Sequence, residues 1–166
     1  MISITKATEK DVTAIQAIAY KTWPNTYGEI LSEEQLNYML DLFYSEAALQ
    51  KSLTSTVFLI AKENDIPLGF ASYEQHYPVN NCTRIHKIYI LPEAQGKGIG
   101  SLLIKAIEAA AIKNSSEKLS LNVNRYNSAL AFYQQMGFNI IAEEDITLDF
   151  GYLMEDYIME KVLTLA

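Results

Sequence analysis

The chain has 166 residues, of which 49% are hydrophobic and 20% are charged. A chain of this length forms one domain, here residues 1–166, and buries about 70% of the surface that its unfolded form exposes. A single cysteine, Cys82, excludes a disulfide scaffold and a cysteine-based zinc site, and we expect no metal. No apolar run reaches the about 18 residues of a membrane-spanning helix. The first residues lack the layout of a signal peptide, so the sequence predicts a cytoplasmic protein.

The net charge is −7, from 13 Lys and Arg residues against 20 Asp and Glu residues. Binding to nucleic acid or to an anionic membrane favours the opposite sign, so we expect neither as a partner. Residues 84–105 carry four basic side chains against one acid, which suits a small anion. Residues 143–160 carry seven acids and no Lys or Arg, which suits a cation, although such runs more often form a solvated acidic face.

The first third of the chain predicts a short strand followed by three helices. A capping box at Thr8 and Asp11 begins the first helix. Proline breaks helices, so Pro24 is predicted to end that helix and to open a loop that carries Tyr27 and Gly28. The predicted ranges are residues 2–4 for the strand, 8–24 for the first helix, 24–31 for the loop, a second helix that opens at residue 32, and 45–53 for the third.

The rest of the chain predicts a mixed sheet with helices on both faces, so the fold class is α/β. Strands are predicted at residues 56–62, 68–75, 84–91, 119–123, 138–142 and 153–162. One helix follows residue 98, and its predicted apolar face is Leu102, Leu103, Ala106, Ile107 and Ala110. Another helix covers residues 127–136 and ends at Gly137. The predicted order is β-α-α-α-β-β-β-α-β-α-β-β.

Three glycines, Gly96, Gly98 and Gly100, lie within five residues between a predicted strand and a predicted amphipathic helix. Glycine adopts positive φ angles and has no side chain, so several backbone N–H groups can approach one anion. The helix N-terminus adds unpaired donors and a partial positive charge. This pattern favours a phosphate or pyrophosphate ligand, and the alternative is a tight connector without a ligand.

The spacing of this turn discriminates between phosphate-binding motifs. A Walker A loop needs a Ser or Thr directly after its lysine, but Lys97 is followed by Gly98. A dinucleotide-binding fingerprint needs Gly-x-Gly-x-x-Gly near the start of the chain, and both spacing and place differ. The run Gln95-x-x-Gly98-x-Gly100 instead resembles the Gln/Arg-x-x-Gly-x-Gly/Ala signature of the GNAT superfamily of acetyl-CoA-dependent N-acetyltransferases.

A second stretch supports the same resemblance. A strand, Asn127 at a helix start, the aromatic pair Phe132-Tyr133 and then Gly137 follow one another as in the second hallmark of that family. The two motifs span residues 84–138, whereas the N-terminal third matches in element order only. The resemblance implies a single acyltransferase domain with a mostly antiparallel central sheet and transfer of an acetyl group to an amine. A homodimer is compatible with it.

The resemblance also implies where acetyl-CoA binds. The cofactor would lie in a cleft where the strands at residues 84–91 and 119–123 separate, with its pantetheine amides paired to the first strand. Its pyrophosphate would rest on the glycine turn, with Lys97 screening charge, whereas Lys105 is more simply an exposed side chain. Asn127 would hold the cofactor from the other side or act as an ordinary N-cap. The implied cofactor-binding residues are Ile88, Tyr89, Ile90, Gln95, Gly96, Lys97, Gly98, Ile99, Gly100, Ser101 and Asn127.

Catalytic roles follow from the chemistry of the implied reaction. An alkyl amine with a pKa near about 10.4 must lose a proton before it attacks the thioester. His86 stands where relatives often carry a carboxylate and is the hypothesised base, although a lone histidine is more often structural. A backbone N–H near Tyr89 would stabilise the oxyanion. Tyr133 matches the family's general acid for the leaving thiolate, although its spacing with Phe132 and Met136 also fits a core residue.

The C-terminal segment indicates the acceptor. Residues 150–161 read Phe-Gly-Tyr-Leu-Met-Glu-Asp-Tyr-Ile-Met-Glu-Lys. This run resembles the Tyr-Met-acid-Asp-Tyr run of the bacterial branch that acetylates diamines and polyamines. An acidic pocket with an aromatic rim attracts a cationic amine, although the same aromatic residues equally fit packing on a sheet. Peptide amines, aminoglycosides and amino acids stay open as acceptors. The implied substrate-binding residues are Trp23, Tyr27, Glu29, Tyr152, Glu155 and Asp156.

Other functional classes compete with this interpretation. A non-catalytic acyl-CoA sensor or partner-binding module would keep the glycine turn but turn over no amine. An N-acetyltransferase acting on a peptide or protein amine would differ in its acceptor alone. An NTP-dependent phosphotransferase would need a Walker lysine and a metal-binding Asp after a strand, and the sequence shows neither.

Overall fold

The structure, a computed structural model, describes residues 1–163. The predicted α/β class is confirmed: a seven-stranded, mostly antiparallel sheet has the order β1-β2-β3-β4-β5-β7-β6. The strands are β1 Ile2–Lys6, β2 Val57–Glu63, β3 Ile66–Gln75, β4 Cys82–Ile90, β5 Lys118–Asn124, β6 Asn139–Thr147 and β7 Leu153–Val162. The helices are α1 Val12–Tyr27, α2 Glu33–Tyr44, α3 Glu46–Ser55, α4 Ile99–Lys113 and α5 Leu130–Gln135, joined by 3₁₀ turns at Glu9–Asp11, Pro92–Ala94 and Asp149–Gly151.

The chain divides into two compact units. The first comprises Met1–Glu74 and His86–Ile107, and the second comprises Gln75–Ile85 and the chain from Glu108 onward. β4 therefore contributes its second half to the first unit and its first half to the second. Among residues 1–163, no helix combines the length and the apolar composition needed to cross a membrane.

The first unit forms around antiparallel strands and the helices α1 to α3. β2 and β3 make a hairpin whose two turn residues, Asn64 and Asp65, have φ angles of 52° and 63°. Both angles are positive, as a two-residue hairpin turn with matching twist requires. Serine side chains cap the helices as the sequence predicts, with Ser32 accepting from the Gln35 amide at 3.1 Å. Fully buried side chains from helices and strands share this core, among them Ile15, Tyr44, Leu49, Phe58, Ile60 and Phe70.

The second unit includes the parallel pair of the sheet. β4 pairs with β5 from Cys82↔Lys118 to Ile85↔Leu121, and the crossover between the two strands contains α4. β7 then pairs antiparallel with both β5 and β6. β6 is longer than the predicted range of residues 138–142, because its pairing with β7 continues to Thr147↔Leu153.

The prediction that Pro24 ends the first helix is wrong, because α1 continues to Tyr27. The next turn still closes, with the Gly28 N–H donating to the Pro24 carbonyl at 2.9 Å. Continuing the helix keeps Trp23 and Tyr27 four residues apart on one face, where both are buried. Burying each large side chain contributes about 1.5–3 kcal/mol, which offsets the about 3 kcal/mol that proline costs inside a helix.

The helix after the glycine turn is present, but its predicted apolar face is wrong at one position. Leu102 is 39% exposed, whereas Ile104 is fully buried beside Leu103 and Ile107. Residues 102–104 form a continuous apolar run, so periodicity alone does not identify which of the three turns outward.

The last helix is shorter than the predicted range of residues 127–136, because α5 covers Leu130–Gln135. Asn127 lies before it in a local turn, where its Oδ1 accepts from the Ala129 amide at 2.8 Å. An Asn side chain that bonds its own backbone two residues on competes with a helical start. Gly137, with a φ of 98°, ends the helical segment as predicted.

Candidate active site

The glycine turn lies in the first unit, between the end of β4 and the start of α4. Gly96 and Gly98 have φ angles of 86° and 78°, a region that other residues rarely adopt. A Cβ at either position would meet no atom within 4 Å, so the backbone here is open to an approaching ligand. α4 begins at Ile99, and the Leu102 N–H donates to the Gly98 carbonyl at 3.1 Å. Amides ahead of that first bond point out of the helix, which fits a diphosphate.

Two of the basic side chains in residues 84–105, those of Lys97 and Arg84, have polar partners of their own. The Lys97 Nζ lies 3.2 Å from Oε1 of Glu63, and this ion pair is partly exposed. The Arg84 Nε donates to the Ser120 hydroxyl at 2.7 Å, and its Nη1 donates to Asn122 at 3.1 Å. The expectation that residues 84–105 suit a small anion stays a prediction. A bound diphosphate would rely on backbone amides rather than on side-chain charge.

Aromatic rings from α1, α2 and β4 pack together next to the strand that the sequence assigns to the cofactor. The Trp23 ring centroid lies 4.7 Å from that of Tyr27 and 5.9 Å from that of Tyr89. The hydroxyls of Tyr27 and Tyr89 are 2.9 Å apart and share a hydrogen bond. Trp23 and Tyr27 are only 4% and 8% exposed. Two of the predicted substrate-binding residues, Trp23 and Tyr27, are thus part of a packed aromatic cluster. The third in this part of the chain, Glu29, is exposed.

Burial shifts the pKa of three side chains in this unit, Lys87, Tyr44 and Tyr73, and raises that of Tyr73. Burial lowers the pKa of Lys87, whose Nζ lies 5.6 Å from the ring centroid of Tyr44 and 6.0 Å from that of Phe58. Burial also raises the pKa of Tyr44 well above its usual value, and Tyr27 adds to the shift, while the side chains of Trp23 and Tyr89 offset part of it. Tyr44 therefore stays neutral at physiological pH, and its ring face is available to the Lys87 cation.

His86 is paired with a carboxylate that the sequence analysis did not select. Its Nε2 lies 2.9 Å from Oε1 of Glu74, which stands on the neighbouring strand β3. The two side chains are 27% and 32% exposed, so the pair is reachable by water. The sequence gives no local signal for Glu74, because its contact with His86 depends on which strands are neighbours.

Tyr133 and Asn127 lie in the second unit, six residues apart in the chain. Tyr133 is 7% exposed and begins the last turn of α5, and its amide donates to the Ala129 carbonyl at 3.0 Å. Its ring centroid lies 5.4 Å from that of Phe132 and 6.1 Å from that of Phe138. The packing fixes the ring, so the position of the phenol oxygen is set by the short helix and by Gly137 after it.

The acidic segment of the second unit is held by a network on β6 and β7. Asp156 lies opposite Glu144, and Glu155 lies opposite Asp145. Asp156 is 4% exposed and accepts from the Asn122 amide at 3.4 Å. Burial raises the pKa of Asp156, and the nearby acids Glu144 and Asp145 add to the shift.

Arg125 compensates part of this acidic charge. It forms an ion pair with Asp145, lies 4.0 Å from Glu143, and its Nε donates to the Asp156 carbonyl at 3.2 Å. Tyr152, just before β7, and Glu155, on β7, are both half-buried. In the part of the chain that the structure describes, no cluster of three or more His, Cys, Asp or Glu side chains is placed to hold a metal.

Proteins of similar sequence and fold indicate the family of this chain. The profile of the acetyltransferase (GNAT) family matches residues 12–138. Spermidine N(1)-acetyltransferase of Thermoplasma acidophilum is 26% identical over 167 residues, which cover 96% of this chain and 96% of that protein. PaiA N-acetyltransferase from Thermoplasma acidophilum, solved in complex with coenzyme A, has a TM-score of 0.83 at 27% identity and covers 98% of this chain and 99% of its own. A GCN5-related N-acetyltransferase from Rhodopseudomonas palustris has the same fold, with a TM-score of 0.84 at 22% identity over 97% of this chain and 95% of its own.

Proposed function

We propose, from the premise that this chain belongs to the acetyltransferase (GNAT) family, that it acetylates a primary amine of a small cationic acceptor such as a diamine or polyamine. Membership makes the chain an acetyl-CoA-dependent N-acetyltransferase, which transfers an acetyl group from coenzyme A to an amine. The observation that carries the finer proposal is the acidic network of β6 and β7, together with likeness to a spermidine acetyltransferase over nearly the whole chain.

Binding of acetyl-CoA is assigned to the glycine turn and the strand before it. Amides of residues 96–101 donate to the diphosphate, and Gly96 and Gly98 keep the approach open. The Gln95 amide donates to the Pro92 carbonyl at 3.3 Å instead. Backbone groups of residues 88–90 pair with the pantetheine amides in the manner of an added strand. The Asn127 Oδ1 already accepts from the Ala129 amide, so its side-chain NH₂ is the group assigned to the ligand.

Acetyl-CoA supplies a thioester whose carbonyl carbon accepts the amine. In the proposal, His86 takes the proton that the acceptor ammonium must lose, directly or through water. A backbone N–H near Tyr89 donates to the oxyanion that forms when nitrogen adds to carbon. As the carbon–sulfur bond breaks, the Tyr133 hydroxyl donates its proton to the thiolate. A phenol with a pKa near about 10 is a weaker acid than a thiol near about 8.5, so this transfer depends on close placement.

The second ammonium of the acceptor is assigned to the acidic segment. Glu155 is half-buried and attracts the cation. Asp156 follows it on β7 and therefore faces the other side of the sheet, where it accepts from the Asn122 amide. Tyr152, just before β7, adds an aromatic face to the same segment. This assignment favours diamines and polyamines over monoamines and amino acids.

An acceptor panel tests the proposal directly. Thiol release from acetyl-CoA is measured with diamines, polyamines, monoamines of equal length, amino acids, aminoglycosides and peptides, and products are identified by mass spectrometry. We expect diamines and polyamines to have values of kcat/KM about tenfold or more above those of monoamines, because one added ion pair is worth about 1.4 kcal/mol. Glu155→Gln should remove most of that preference, and the control Glu34→Gln, an exposed acid on α2, should keep it.

Each other outcome of the panel points to a different class. Turnover on peptide amines alone would favour a protein acetyltransferase and contradict the small-molecule acceptor. Binding of acetyl-CoA without turnover on any amine would favour an acyl-CoA sensor. The proposed place of action is the cytoplasm, and the net charge of −7 argues against nucleic acid as a partner.

A further inference from the structure

We propose that Glu74 is a positioning residue that makes His86 an effective general base, an inference that rests on the proposed function. The two side chains stand on neighbouring strands, β3 and β4, and His86 Nε2 lies 2.9 Å from Glu74 Oε1. A carboxylate only accepts hydrogen bonds, so the pairing requires the proton to sit on Nε2. The lone pair of the neutral ring is then on Nδ1, and one tautomer is selected.

The carboxylate also acts after proton transfer. When Nδ1 takes the proton that the acceptor ammonium loses, the ring becomes a cation beside Glu74. An opposite charge at this distance stabilises that cation and makes the imidazole a stronger base. The proton leaves later to solvent, so the pair returns to its starting state. Glu74 touches neither substrate nor cofactor in this scheme and acts through the histidine alone.

The solvent exposure of His86 and Glu74 indicates that their ion pair contributes little to the stability of the fold. Its side chains are 27% and 32% exposed, and ion pairs this accessible contribute little to stability. The second histidine provides an internal comparison, because the His76 Nδ1 lies 2.7 Å from the Asn80 carbonyl oxygen rather than from a carboxylate. His86 is therefore the histidine equipped to hold a positive charge.

Other ionisable groups stand near His86 on the neighbouring elements. On β4, Arg84 precedes it by two residues and Lys87 follows it, and burial lowers the pKa of Lys87. Tyr73 on β3 and Tyr44 on α2 have phenol pKa values that burial raises, so both stay neutral. A change in the pH profile is attributed to the His86–Glu74 pair where Glu74→Gln produces it and a His86→Gln background abolishes it.

The pH dependence of kcat/KM in variants of Glu74 tests the inference. Glu74→Gln should lower the plateau about tenfold and move the acid limb to lower pH, because the imidazolium loses its counter-charge. KM for acetyl-CoA should stay within about twofold, since the pair does not bind the cofactor. Glu74→Asp keeps the charge and should retain the wild-type limb. In a His86→Gln background, Glu74→Gln should have no further effect on kcat.

A measurement independent of turnover follows the histidine rings by NMR, with His76→Gln to assign them. The wild type should show the Nε2-protonated tautomer of His86, and Glu74→Gln should lower its titration midpoint while the midpoint of His76 stays constant. An active enzyme whose acid limb and His86 titration ignore Glu74→Gln overturns the positioning role alone. A wild type that acetylates no amine refutes the proposed function and this role with it.

Discussion

Tyr133 is the residue on which the proposed proton transfer to sulfur depends. Its ring is held between Phe132 and Phe138, so removing the hydroxyl should leave the packing intact. Tyr133→Phe should lower kcat about 100-fold, since a positioned general acid contributes about 10²–10⁴. KM for acetyl-CoA should change less than about threefold, because the phenol acts in the transition state.

The matched control is Tyr126→Phe, which removes a hydroxyl from a ring that is 63% exposed in the same unit. Steady-state kinetics of both variants decide the matter. Equal turnover in Tyr133→Phe and the wild type would remove Tyr133 from the mechanism and leave it as a core residue.

Asp156 carries a charge that the folded protein tolerates poorly. Burial raises its pKa in the folded state, and Glu144 and Asp145 add to this, whereas Asn122 and Arg125 oppose it. The folded protein therefore holds the proton more tightly than the unfolded chain, so this stabilisation is present at low pH and is lost as pH rises through the folded pKa.

Asp156→Asn should therefore be more stable than the wild type at pH 7, with a higher Tm. The difference should shrink toward pH 4, near the ordinary Asp pKa of about 3.9, because both side chains are then largely neutral. Thermal unfolding across this pH range measures it. Asp65→Asn makes the same change of net charge in an exposed turn and should give no comparable gain.

Among the elements, the glycine turn combines a backbone requirement with a requirement for open space. Gly98→Ala keeps the space but opposes a φ of 78°, which costs about 1–2 kcal/mol. The amides should then be misplaced, so KM for acetyl-CoA should rise about tenfold, as expected when one charge-assisted hydrogen bond of about 1.5–3 kcal/mol is weakened.

Gly151 offers a matched control for that substitution. Its φ is 74°, and a Cβ there would also meet no atom within 4 Å, but it lies in the turn before β7. Gly151→Ala should lose similar stability and keep the wild-type KM for acetyl-CoA. Equal values of KM in both variants would contradict the role assigned to the glycine turn.

The helices show where sequence periodicity succeeds and where packing decides instead. The Ser32 cap and the Gly137 stop depend on local backbone chemistry, and both are found as predicted. Proline is also a local signal, yet α1 continues past Pro24 because burying Trp23 and Tyr27 is worth more than the bond that proline removes. That balance depends on tertiary contacts, which a local signal does not contain.

At the scale of the whole molecule, the same distinction separates the parts of the candidate site. The motif around Gly98 is contiguous in the chain, so its spacing alone predicted a phosphate-binding turn. The partner of His86 lies twelve residues away on another strand, and recognising Glu74 requires the strand pairing. The pairing of Lys97 with Glu63 is similarly non-local, because the two residues lie 34 apart in the chain.

The most direct test of the account follows the backbone amides by NMR during titration with coenzyme A and, separately, with pantetheine, which lacks the diphosphate. The account predicts that coenzyme A shifts the amide signals of Gly96, Gly98 and Gly100 strongly, whereas pantetheine shifts mainly those of residues 88–90. If coenzyme A binds and leaves the three glycine signals in place, the diphosphate lies elsewhere and the central claim is wrong.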